Sequence, residues 1–211
     1  ITEPISSADL HYRLGLDLLT RAPGCDQYSV VASAAAAGVP IYTSSPGDSS
    51  IGMNVAYHEL MNGGKTMIDP NRDVNEVCAI ILAGKKNGCV ILGGGSPKNF
   101  YLQGQPTLWE VYGIPKGGND YFIQFTTDSV VWGGLSGATP SEAVSWGKVN
   151  PGVLSDTVVA YCDSTIAFPL FCEYVVGAEH SRRPRKELVH KRADLVADLV
   201  CQARARHAIG S

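Results

Sequence analysis

Cys89-Val90-Ile91-Leu92 is a continuous apolar run that passes directly into Gly93-Gly94-Gly95 and then Pro97. Such a run is expected of a strand buried on both faces of a parallel sheet. The glycines end it, and Pro97 suits the first turn of a following helix. The pattern recurs along the chain. Tyr121 to Phe125 and Thr157 to Tyr161 read as strands, the latter ending in Cys162-Asp163, and Val39-Pro40-Ile41-Tyr42 reads as a short strand entering a Ser/Gly/Pro-rich loop, Thr43 to Ser50. Helices are expected from about Ile51 to Met61, stopped by Gly63-Gly64, and over Ile166 to Val175, with Pro169 near the start. Asp73 to Lys86 places Val74, Val77, Cys78, Ile81 and Leu82 at helical spacing, with Lys85-Lys86 at the negative end of the helix dipole. Pro184 to His207 reads as a basic helix with Leu188, Leu195, Val196, Leu199 and Val200 on its apolar side. This alternation predicts an α/β fold, a parallel sheet with helices on both faces, in a single domain over residues 1–211.

Composition narrows the function classes. With 211 residues, 45% hydrophobic and 18% charged, the chain suits a soluble globular domain with a sizeable core. A net charge of -3 argues against a general nucleic-acid binder, and no apolar run is long enough to span a membrane. The six cysteines show no CxxC spacing, so a zinc site is not expected and they read as small buried hydrophobes in a reducing cytoplasm. His58 and His180 have no ligand spacing, and no metal site is expected. Ile1-Thr2-Glu3-Pro4 has no basic leader, apolar signal core or initiating Met, as in a processed product, a fragment or an engineered piece.

Several residues admit two readings. The triple glycine after a strand is either a nucleotide contact, with the helix N-terminus favouring phosphate, or a tight turn without ligand. Asp48 and Asp163 follow strands, where carboxylates hold ribose hydroxyls or simply cap turns and helices. In Ser141-Glu142-Ala143-Val144-Ser145-Trp146-Gly147-Lys148, Ser141 is expected to cap a short helix that Trp146 and Lys148 leave at Gly147. Lys148 is then either a desolvated, nucleophilic amine beside an indole or an exposed lysine near a packed tryptophan. The cluster Arg182-Arg183-Pro184-Arg185-Lys186 suits an acidic partner or a solvated helix start.

Taken together, Pro40-Ile41-Tyr42, Gly47-Asp48-Ser49-Ser50-Ile51-Gly52, Ile91-Leu92-Gly93-Gly94-Gly95, Asp120-Tyr121, Ser136-Gly137-Ala138, Glu142 to Lys148, Tyr161-Cys162-Asp163 and Phe168-Pro169 resemble the deoxyhypusine synthase family. The resemblance runs from about Val30 to Glu173, and Glu-Ala-Val-Ser-Trp-Gly-Lys is its most specific part. It implies a Rossmann-like, NAD-dependent cytoplasmic transferase that moves an aminobutyl group from a polyamine such as spermidine, through an imine on a lysine, to an acceptor amine. By that resemblance Lys148 is the nucleophile and Glu142 and Trp146 line the amine pocket. Asp48, Gly93, Gly94, Gly95, Thr127, Ser136 and Asp163 are NAD contacts. Family members are tetramers with sites between paired subunits, which implies a homo-oligomer here.

The chain departs from the family pattern at recognition positions. Asn99 stands for a pocket histidine, Met53 and Leu135 for two pocket aspartates, Gln124 for a pocket tyrosine and Trp132 for an acid near the cofactor. Losing two carboxylates removes charge that recognises a trication, and asparagine does not shuttle protons. The pattern is similar to the bacterial-type branch, so a small-amine acceptor, as in homospermidine formation, stands beside a protein lysine. The family's N-terminal part is not visible, which implies an N-terminally incomplete fold. The alternative is a non-catalytic regulatory or assembly subunit of a hetero-oligomer.

Overall fold

The structure, a computed structural model, describes residues 3–178 and 182–209. His180 and the Ile1-Thr2 start lie outside them. In chain order the main elements are α1 (Ser7–Arg21), α2 (Val30–Ala37), α3 (Ser50–Asn62), α4 (Pro70–Ala83), β1 (Gly88–Leu92), α5 (Ser96–Leu102), α6 (Gly104–Pro106), β2 (Tyr121–Thr126), α7 (Pro140–Ser145), β3 (Thr157–Tyr161), α8 (Ser164–Gly177) and α9 (Leu188–Ile209). They form two compact units, Ile1–Val77 with Arg185–Ala197, and Cys78–Pro184 with Asp198–Ser211.

The first unit is helical. Ser6 caps α1 by accepting from the Asp9 N–H. Helices α1 and α2 approach closely at Gly15, where a Cβ would lie 2.5 Å from Ala35 Cβ and 2.7 Å from the Val31 carbonyl. Arg192 of α9 is buried; it donates to Asp9 Oδ1 (2.6 Å), Glu76 Oε2 (2.7 Å) and Ser6 Oγ (3.0 Å). Tyr42 also donates to Glu76 (2.8 Å). The strand expected over Val39–Tyr42 does not form: the Val39 N–H closes the end of α2 on the Ala34 carbonyl, so the backbone is committed to a helix cap rather than a ladder. Helix α3 matches its expected span and stops at Gly63, which has φ +63°. Helix α9 begins at Leu188, four residues later than expected. Arg182 to Lys186 precede it as an exposed irregular segment, with Arg185 donating to the Ala36 carbonyl.

The second unit is built on a parallel three-stranded sheet in the order β1-β2-β3. Ile91, Gln124 and Val159 share one row across it. Because side chains alternate along a strand, Phe122 and Gln124 face one side and Phe125 the other. On the first side Ile91 and Phe122 pack with Leu102 of α5, Ala143 of α7 and Val149. On the other Phe125 meets Phe171 of α8 edge-on, ring centroids 5.8 Å apart. Helices therefore cover both faces, as expected. The expectation that β1 is buried on both faces is overturned: Ile91 is buried, but Val90 and Leu92 point to the face α8 covers only in part and are exposed.

Three local expectations also change. Helix α4 spans Pro70–Ala83, so Lys85 and Lys86 lie past its end. Its last carbonyls are taken instead by Asn87, donating to Ile81, and by Lys116, donating to Leu82 and Gly84. Pro169 sits inside α8 rather than near its start. Of the cysteines, all free, Cys25 and Cys78 are buried while Cys201 is exposed. No helix among the described residues is long and apolar enough to cross a membrane.

Candidate active site

Lys148 is held by its main chain before its side chain meets anything. Helix α7 is capped by Thr139, whose Oγ1 accepts from the Glu142 N–H (3.2 Å); the cap is therefore Thr139, and Ser141 is an exposed first-turn residue. The helix ends at Trp146. Gly147 turns the chain at φ +67°, and a Cβ there would lie 2.7 Å from Trp109 Nε1, so both conformation and space call for glycine. The Lys148 N–H then reaches the Ala143 carbonyl (3.0 Å). Its carbonyl accepts from both the backbone N–H and the side-chain Nδ2 of Asn119, each at 3.0 Å. Asn119 is fully buried, and its Oδ1 accepts from Tyr101 (2.8 Å).

The lysine side chain enters a cavity of about 200 Å³ whose walls include Lys98, Asn99, Leu135, Glu142, Trp146 and Leu102. Lys148 Nζ donates to Asn99 Oδ1 at 2.8 Å and sits 5.7 Å from the Trp146 ring centroid. Burial moves the Lys148 pKa below the ordinary lysine value, with the Glu142 carboxylate pulling the other way. Trp146 is 62% exposed and forms an open wall rather than a packed core residue.

Gln124 sits behind this wall. It is 1% exposed; its Nε2 donates to the Gly93 (2.8 Å) and Ser136 (2.7 Å) carbonyls, and its Oε1 accepts from Lys98. It therefore joins the triple glycine to the loop after β2. Met53, exposed in α3, and Asp48, exposed in the loop before α3, belong to the first unit. The structure thus brings Lys148, Glu142, Trp146, Asn99 and Leu135 to one cavity, places Gln124 beneath it, and leaves Met53 and Asp48 in the other unit.

The remaining expected residues lie at the carboxyl ends of the strands. Gly93 and Gly95, after β1, have φ of +73° and +75° with open space where a Cβ would be. Gly94 instead packs on Ser136, whose Cα would be 2.6 Å from an added Cβ. Thr127 follows β2 and is exposed; Asp163 follows β3 and caps α8, its Oδ1 accepting from the Thr165 N–H (2.9 Å) and hydroxyl (2.7 Å). Those two bonds hold the Asp163 pKa below the usual carboxylate value. An open glycine backbone, an exposed hydroxyl and a carboxylate, following three neighbouring parallel strands at their carboxyl ends, fit a dinucleotide. No group of three or more metal-ligating side chains occurs among the described residues.

A sequence model of deoxyhypusine synthase matches residues 2–175. This chain belongs to the deoxyhypusine synthase family. A deoxyhypusine synthase-like protein of Nostoc punctiforme is 50% identical over 92% of this chain and 51% of its own length, and one of Thermosynechococcus vestitus is 49% identical over 97% and 54%. A probable deoxyhypusine synthase 2 of Methanosarcina acetivorans is 42% identical over 78% of this chain and 46% of its own. The chain spans about half the length of these relatives.

Within this family member, three residues at the site were not legible from sequence. Lys98 follows Pro97 in a short helix, and a lysine next to Asn99 carries no local sign of burial. Asn119 reads as part of a loop, and Trp109 as one more aromatic. The weak signal available was Lys98 four residues before Leu102, which puts both on one helix face.

Proposed function

We propose that the cavity around Lys148 carries out transfer of an aminobutyl-type group from a polyamine such as spermidine to an acceptor amine, with Lys148 as the covalent nucleophile. The observation that carries this reading is an amine driven toward its neutral form by burial, fixed at 2.8 Å on a neutral acceptor and set beside an indole in a family member. NAD, bound across Gly93 to Gly95, Thr127, Ser136 and Asp163, would supply the oxidation of the donor carbon and the later reduction of the product. Lys148 Nζ, as the free amine, adds to the oxidised donor carbon, and the bond from that carbon to the leaving diamine breaks. The carbon is then held as an imine on Lys148 until an acceptor amine displaces it and Lys148 is released.

Asn99 fixes the direction of Nζ through its Oδ1 and takes no proton itself. Glu142 offers the cavity a carboxylate for a substrate ammonium. Trp146 covers the aliphatic stem and can lie against a cationic end. Leu135 and Leu102 add apolar wall beside Lys98, which favours a donor with few charged nitrogens at the bound end; the acceptor is a small amine, as in homospermidine formation, or a protein lysine. Homo-oligomerisation belongs to the same proposal.

The test is an amine screen on the purified protein with NAD, reading products by mass. The reading expects a new secondary amine with spermidine or a shorter polyamine, and loss of at least about 10³ in rate for Lys148→Ala. Full rate in that variant overturns it.

A further inference from the structure

Lys98 has no part in the proposed transfer steps, yet it is the most deeply buried charged group in the cavity wall, at 6% exposure. Its Nζ reaches three oxygens: Ala138 O at 2.7 Å, Gln124 Oε1 at 3.0 Å and Ser136 O at 3.4 Å. A neutral amine has two N–H bonds and one lone pair, whereas an ammonium has three N–H bonds. Three acceptors therefore select the ammonium. The face of Phe122, 5.8 Å away, favours the cation as well. Lys148 lines the same cavity and is bonded to Asn99, the residue next to Lys98.

We propose that Lys98 is a positioning residue of this site: its fixed ammonium, locked on three oxygens, makes a second ammonium in the cavity unfavourable and so keeps Lys148 as the free amine. This rests on the reading of Lys148 as nucleophile. Two cations sharing a poorly solvated cavity resist joint protonation, and the one with fewer acceptors gives up its proton first. Lys148 has one acceptor, Asn99; Lys98 has three.

Repulsion between the two lysines does not set the order by itself, since the Lys148 charge also disfavours the Lys98 cation; the acceptors around each nitrogen do. Glu142 of α7 favours protonation of both lysines, but is exposed and acts through solvent. Asp128 after β2 favours the Lys98 cation, and Cys89 of β1 would do so only as a thiolate. The Cys89 thiol, pushed up to about 12 by burial, carries no charge near neutrality. On the loop beneath Lys148, Asp120 accepts from the Asn87 N–H and Lys116 is turned to α4. Burial lowers the pKa of both lysines; the hydrogen-bond count decides which keeps its proton.

The arrangement also names a role for Gln124. A glutamine amide bridges Lys98, Gly93 and Ser136 at once, which ties the ammonium to the glycine turn. A tyrosine, with a single oxygen, makes fewer of these bonds.

The experiment is an NMR titration of protein labelled at lysine Cε and Nζ, with Lys98 and Lys148 assigned through Lys→Arg variants. In the unmodified chain Lys148 is expected to lose its proton at lower pH than Lys98; the reverse order overturns the proposal. In Lys98→Met the Lys148 midpoint is expected to move upward, and in Lys98→Arg to stay near that of the unmodified chain. A folded Lys98→Met protein with an unchanged Lys148 midpoint also overturns it. If Lys98→Met does not fold, the order of titration in the unmodified chain decides. None of these readouts needs turnover. A protein that titrates as expected but transfers no group therefore contradicts the transfer reading alone. Transfer through Lys148 with the midpoint unmoved in Lys98→Met contradicts this one alone.

Discussion

At the scale of single residues, the site depends on what each side chain can give or accept. Asn99 accepts one N–H from Lys148 and holds it at 2.8 Å. Asn99→Ala is expected to lower kcat by about 10- to 100-fold with a smaller change in KM, because the amine loses its direction rather than its chemistry; steady-state kinetics checks the split. The lowered pKa of Lys148 means that its reactive form grows as pH rises, beginning below the ordinary lysine range. The transfer rate should accordingly rise with pH along a limb that belongs to Lys148. Away from the site, Asp73 is buried with Oδ1 on the Ser7 N–H (2.7 Å) and Oδ2 without a partner, and burial raises its pKa. The folded state then binds its proton more tightly than the unfolded chain. Stability should fall as pH rises from the unfolded value near 3.8 through the folded pKa. Asp73→Asn should flatten that decline in urea titrations across pH. Lys148, the proposed nucleophile, stood out in the sequence because Glu142 to Lys148 resembles a contiguous family motif. Lys98 and Asn119 did not, because their side-chain partners lie 26 to 40 positions away for Lys98 and 18 and 29 for Asn119, and no local pattern encodes such contacts.

At the scale of elements, short apolar runs located β2 and β3, the Gly63-Gly64 stop located the end of α3, and Pro97 marked the first turn of α5. The sequence pattern misjudged Val39–Tyr42, where an apolar run serves a helix cap and not a ladder. It also misjudged the faces of β1, because four apolar residues do not say how far the covering helix extends. The cap of α7 moved two residues, from Ser141 to Thr139, because either hydroxyl suits a cap and Pro140 fits the first helical turn behind Thr139. The most constrained junction is the contact of Gly94 with Ser136. Gly94→Ala should push the loop after β2 away from Lys98, whose oxygens on Ser136 and Ala138 belong to that loop. A loss of about 1–3 kcal/mol in unfolding free energy is expected, with the Lys148 labelling rate at fixed pH falling together with it.

At the scale of the whole chain, the two units have separate anchors. In the first, Arg192 binds Asp9, Glu76 and Ser6 together. Arg192→Met should cost about 3–5 kcal/mol, since it leaves the Glu76 carboxylate buried beside Tyr42 without its cation. For Asp9, burial would raise the pKa, but Arg192 outweighs it and holds the value low. That part of the stability is present above the unfolded pKa and lost as pH falls through the folded one, and it should vanish in Arg192→Met. In the second unit Val131, Trp132 and Leu135 are exposed apolar residues following β2. Covalent capture on Lys148 is read out by borohydride reduction during turnover with NAD and spermidine, followed by peptide mass analysis. An aminobutyl adduct is expected on Lys148, and none in Lys148→Arg. Continued turnover with no adduct at position 148 would contradict it.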